Sequence, residues 1–68
     1  MADIELLKSV MEESGMPKTL ISKRSGIDRV VLYNRLAGKG DFTATEIVGL
    51  TKALKLSKTV RDKIFFSL

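Results

Sequence analysis

The chain holds no histidine and no cysteine. That removes the commonest general base, the commonest transition-metal ligand, every thiolate nucleophile and every disulfide. No lysine–carboxylate cluster stands out in their place, so no catalytic constellation, cofactor or small-molecule substrate is expected. What remains is the chemistry of recognition, carried by guanidinium, ammonium, carboxamide and phenol groups that donate hydrogen bonds. These groups concentrate mid-chain, where Lys18, Lys23, Arg24, Arg29, Arg35 and Lys39 face Asp28 alone. Residues 1–17 are the reverse, with Lys8 against Asp3, Glu5, Glu12 and Glu13. A basic middle beside an acidic start is the layout a polyanion-binding face on a small domain requires. From charge alone, a set of solvated lysine-rich helix faces is the competing reading.

The recognition groups need a helix to present them, and the pattern after Asp28 supplies one over about 29–37. Leu32 and Leu36, four apart, set its inward side at about 100° per residue. Asn34 and Val30 then stand most directly opposite, flanked by Arg29, Tyr33, Val31 and Ala37. Two adjacent valines cannot both point inward, so at least one is partly exposed.

Around this helix the punctuation predicts four more. Asp3 caps a first helix whose apolar positions are Ile4, Leu7 and Met11, with Leu6 and Val10 beside them. Gly15 ends it, and Pro17 stands where a new helix can start but an old one cannot continue. A second helix, about Lys18 to Ser25, turns Leu20 and Ile21 inward and closes at Gly26. Ile27 is a buried linker residue and Asp28 the N-cap of the third helix, which stops at Gly38. Lys39-Gly40-Asp41 is a loop, with Phe42 anchoring it to the core. Thr43 and Glu46 form a capping box for a fourth helix carrying Ile47, Leu50 and Leu54. Gly49 inside that helix costs about 1 kcal/mol relative to alanine, which points to a close packing contact. Ser57 caps a last helix with Val60, Ile64 and Phe65 inward. The final turn over Ile64-Phe65-Phe66 also has strand propensity. Each helix is too short to be stable alone, so the expected fold is all-α: five helices packed in one compact orthogonal bundle spanning 1–68.

The stretch Pro17 to Gly38 has helix–glycine turn–helix spacing, the pattern of a helix-turn-helix formed by helices 2 and 3. Ser22 is small where the helices cross, Gly26 allows the turn and Ile27 plugs the angle between them. The run Ile21-Ser22-Lys23-Arg24-Ser25-Gly26-Ile27-Asp28-Arg29, with Leu32 and Gly38-Lys39, resembles the phage repressor/Cro class of helix-turn-helix proteins, the Xre-like family. Phe42-Thr43, Glu46-Ile47, Leu54-Lys55-Leu56-Ser57 and Ile64-Phe65-Phe66 look like the C-terminal part of small Gram-positive phage regulators of that class. Three positions depart from the family pattern. Pro17 replaces a Ser or Thr cap, Lys18 replaces a frequent Gln, and Ala37 replaces a frequent Asn.

The resemblance implies a lambda-repressor-like DNA-binding domain whose third helix enters the major groove of an operator. It implies base reading by Arg29, Val30, Tyr33 and Asn34. Arg29 suits guanine O6 and N7, Asn34 suits adenine N6 and N7, and Val30 suits a thymine methyl. Alternatives stay open: Arg29 contacts only phosphate or pairs with Asp28 or Asp41, Asn34 is a plain surface residue, and Tyr33 packs its ring on the domain. Phosphate contacts fall to Lys18, Lys23, Arg35 and Lys39, with Lys23 able to lie on the far side. Lys52, Lys55, Lys58 and Lys63 read as solubility charges.

One recognition helix reads only a few base pairs, so a weak homodimer is expected, with Phe65, Phe66 and Leu68 as its interface. Closure of a very small core by both phenylalanines is the alternative. The functional expectation is a sequence-specific transcriptional regulator of phage or prophage type, Cro- or repressor-like, acting by occupancy. The alternative is a helix-turn-helix scaffold that binds protein, as an antirepressor, antitoxin or partner subunit, through the acidic surface of Glu12 and Glu13. The longest apolar run, Val30 to Tyr33, is far short of the ~20 residues of a membrane span. Asp3 and Glu5 stand where a secretory signal is basic, so the expected location is the cytoplasm, and by the resemblance the bacterial cytoplasm or nucleoid.

Overall fold

A computed structural model describes residues 2–67. Five helices follow in chain order: α1 (Ile4–Ser14), α2 (Lys18–Ser25), α3 (Arg29–Leu36), α4 (Ala44–Ala53) and α5 (Lys58–Phe65). No strand occurs among the described residues; Ile64 and Phe65 end α5 as helix despite their strand propensity, and Phe66 is its C-cap. No helix among them is long and apolar enough to cross a membrane.

Local chemistry accounts for where the helices start. Asp3 Oδ1 accepts from the Leu6 N–H at 3.0 Å, Asp28 Oδ2 from Val30 at 3.1 Å and Ser57 Oγ from Val60 at 3.1 Å. Thr43 and Glu46 complete the reciprocal capping box, with bonds of 3.2 and 2.9 Å. Each such cap contributes about 1 kcal/mol by satisfying an N–H that the helix cannot. α2 is the exception, because its N-cap is Pro17 and no side chain accepts from its first turn.

The helices enclose a core of Leu7, Met11, Ile21, Ile27, Leu32, Leu36, Leu50, Ile64 and Phe65. The start of the chain is tied to its end by a backbone bond from the Asp3 N–H to the Ile64 carbonyl, 2.6 Å. The expected inward side of α3 is observed: Leu32 is sealed and Leu36 is 6% exposed. Val31 packs partly buried against the core while Val30 points out. Ile4, Leu54 and Val60 are half-buried rather than sealed. Leu20 also departs from expectation: Ile21 alone is buried on α2, and Leu20, about 100° around the axis, is half-buried.

Gly49 explains itself by position. A Cβ there would meet the Ser25 carbonyl oxygen at 2.1 Å, so α4 lies backbone against backbone on the end of α2. That crossing fixes the α2–α3 corner to the rest of the bundle. The corner itself turns on Gly26, whose φ of +76° is strained for any residue with a side chain. Two serines then pin it. Ser22 donates its hydroxyl to the Ile27 carbonyl, and Ser25 Oγ accepts from the Ile27 N–H at 3.3 Å.

The C-terminal phenylalanines divide. Phe65 is 7% exposed and meets Phe42 edge-on, with ring centroids 5.4 Å apart and planes at 78°. This confirms Phe42 as the loop's anchor and corrects the assignment of Phe65 to a dimer interface, since a ring buried in the core has no surface to offer. Phe66 is 51% exposed, and Leu68 lies outside the described residues.

Candidate functional site

The outward face of α3 is where the recognition groups gather. The short turn through Ile27 starts the helix, the Asp28 cap orients it and the sealed Leu32 and Leu36 hold it by one side. The opposite side is therefore left to solvent. Val30 is 64% exposed and Tyr33 45%, and Arg29 and Asn34 are exposed too. Among the described residues the ion pairs are Arg35–Glu46 and Arg61–Asp62. Arg29 is thus unpaired, and neither Asp28 nor Asp41 claims its guanidinium. All four expected base-reading residues are exposed: Val30 and Asn34 stand opposite Leu32 and Leu36 with Tyr33 flanking them, while Arg29 lies at the first turn, roughly 140° around the axis from Asn34.

Of the four basic residues expected beside that face, two sit at its ends. Lys18, at the start of α2, places Nζ 5.6 Å from the centre of the Tyr33 ring, a cation–π contact that links it to α3. Lys39 follows α3, and its N–H donates to the Asn34 carbonyl at 2.8 Å, so the loop folds back on the helix end. An open groove beside Tyr33 is walled by Met16, Pro17 and Lys18, with Lys8 and Glu12 across from them. Lys23 is exposed but lies roughly 140° around α2 from Lys18, away from the group.

Arg35 requires a correction. Its side chain is 22% exposed and turned into the protein, with Nε 3.3 Å from Glu46 Oε1 and Nη1 donating to the Lys39 carbonyl at 3.4 Å. A guanidinium held by a carboxylate and a carbonyl is not a free phosphate ligand. Nothing in the spacing signals this, because Arg35 and Glu46 lie eleven residues apart and Glu46 is already explained by its capping box.

A second exposed apolar surface lies elsewhere, at α4 and α5. Val48 is 53% exposed and Phe66 51%, and they line one shallow groove with Phe42, Ile47 and Thr51. Val48 escapes sequence reading because it sits beside Ile47 on a helix whose inward register is set by Leu50. The four exposed large apolar side chains among the described residues therefore fall into two patches, one on α3 and one on α4–α5.

Comparison of the chain with protein-family models, with curated proteins and with solved structures gives no match.

Proposed function

We propose that the chain is a sequence-specific DNA-binding transcriptional regulator of phage or prophage type, Cro- or repressor-like, in which α2 and α3 form a helix-turn-helix and α3 is the recognition helix. The observation that carries this reading is the exposed face of α3, with Val30, Tyr33 and Asn34 in solvent and, at the first turn, an exposed Arg29 that has no ion-pair partner among the described residues. An α-helix is about 10–12 Å across with its side chains, a fit to the ~12 Å width of the major groove. Arg29 bonds guanine O6 and N7, Asn34 bonds adenine N6 and N7, and Val30 meets a thymine methyl. Lys18 and Lys39 hold the phosphates at either end of the helix. The uncapped N–H groups at the start of α2 stand next to Lys18 and add donors for the same backbone. Regulation then needs no chemistry beyond occupancy of the operator.

A second copy of the chain is the partner this reading requires, and the Val48–Phe66 patch supplies an apolar surface for it, away from α3. The body measures 28 × 23 × 20 Å. A two-fold pair on DNA expects half-sites about one duplex turn, ~34 Å, apart.

Titration of a labelled duplex across a salt series tests the proposal. Log affinity falls linearly with log salt, by about 0.9 in slope per phosphate neutralised. Arg29→Ala and Asn34→Ala each cost about 1–3 kcal/mol on the preferred site and relax discrimination there. No affinity for any duplex at low salt refutes the reading and favours a protein-binding module using the exposed Glu12 and Glu13 of α1.

A further inference from the structure

We propose that Arg35 is a positioning residue, which clamps the loop between α3 and α4 and so sets where Lys39 meets the DNA backbone relative to the base-reading face. The inference rests on the DNA-binding reading and deepens it. Three elements meet at one guanidinium. Nε donates to Glu46 Oε1 at 3.3 Å, at the first turn of α4, and the same oxygen accepts from the Thr43 N–H at 2.9 Å. Nη1 donates to the Lys39 carbonyl in the middle of the loop at 3.4 Å. The guanidinium also lies over Gly40, where an added Cβ would stand 2.7 Å from Nη1, and Gly40 holds a φ of +85°. A side chain at residue 40 would displace the guanidinium, and the positive φ there favours glycine.

The consequence concerns Lys39. Its N–H is fixed to the Asn34 carbonyl at 2.8 Å and its C=O to Arg35, so both sides of that residue are tied to α3. Asn34 is a base reader in the proposed complex and Lys39 a phosphate ligand. The clamp therefore couples a contact that specifies sequence to one that sets register on the duplex. A charge-assisted fork suits this task better than an ammonium, because its donors are fixed in one plane and reach the carboxylate and the carbonyl together.

The test compares Arg35→Gln, Glu46→Gln, their double variant and Lys39→Ala by duplex titration over a salt series, at a temperature where melting curves show every variant folded. Loop order is read in parallel from amide exchange at Lys39 and Gly40. The expected result for Arg35→Gln is roughly three- to tenfold weaker binding to the preferred site, faster exchange at both amides and an unchanged salt slope. Glu46→Gln acts in the same direction, and the double variant is no worse than Arg35→Gln alone, as for two groups serving one contact. Lys39→Ala instead lowers the slope by about 0.9, the loss of one phosphate contact. Weaker binding of Arg35→Gln together with a slope lowered by about 0.9 and unchanged exchange makes Arg35 a phosphate ligand and overturns the clamp. Unchanged affinity and unchanged exchange overturn it as well. Failure of the wild type to bind any duplex refutes the DNA reading itself, and with it the role given to Arg35.

Discussion

Replacing Gly49 with alanine tests the bundle at its tightest crossing. The new Cβ would stand 2.1 Å from the Ser25 carbonyl oxygen and 3.0 Å from the carbonyl carbon. Both neighbours are backbone, so no rotamer change relieves the overlap and α2 and α4 must part by about 1 Å, a gap that forfeits roughly a quarter to a half of the dispersion attraction across the contact. Overpacking against backbone belongs at the upper end of the core range, about 3 kcal/mol. Alanine returns about 1 kcal/mol of helix propensity. The net loss is about 2 kcal/mol, which for a domain of this size lowers Tm by roughly 8–16 °C. Thermal melting followed by far-ultraviolet circular dichroism reads this directly. Thr45→Ala on the exposed side of α4 is the control, because it gains propensity without meeting α2 and melts slightly above wild type. A Gly49→Ala protein that melts at or above the wild-type temperature refutes the close crossing, and with it the anchoring of the α2–α3 corner.

Further outcomes follow from single positions. Lys55 ends α4 at φ +53°, with the Leu56 N–H on the Thr51 carbonyl at 3.0 Å, a left-handed closure that glycine makes without a side-chain penalty. Lys55→Gly is therefore expected to raise stability by about 1 kcal/mol in a denaturant melt, net of its greater unfolded entropy. Phe65→Ala removes a buried ring and costs about 3–5 kcal/mol, enough to leave a domain of this size largely unfolded at room temperature. Phe66→Ala, at a half-exposed site, costs about 1 kcal/mol or less, and it shifts the sedimentation of concentrated protein toward monomer. Tyr33 is the lone tyrosine in a chain without tryptophan, so its fluorescence reports on α3 alone and is expected to change when duplex binds.

The parts of the fold that depend on near neighbours were legible in the residues. Asp3, Asp28, Thr43 with Glu46, and Ser57 all cap the helices they were expected to start, because a cap is decided within three or four positions. The open face of α3 followed from Leu32 and Leu36 by helical arithmetic, and the glycine at 49 announced a close contact, though not with which helix. Features that depend on distant partners were not legible. Arg35 looks like any other base in a basic stretch until α4 brings Glu46 to it. Phe65 and Phe66 are equivalent as residues, and only the position of the Phe42 ring decides which of them is buried. No spacing sets Ser25 apart as a turn residue beside Ser22, yet both bond across the same turn. The left-handed Lys55 had no glycine to mark it.

Recovery of bound duplexes from a random pool, with the mass of the selected complex determined, asks most directly whether α3 reads sequence. The expected product is an enriched two-fold site whose halves lie about one duplex turn apart, ~34 Å, carrying two chains, with enrichment at one position of each half-site lost in Asn34→Ala. Recovery of unenriched pool sequences, or of no DNA at all at low salt, would contradict a recognition helix in the major groove.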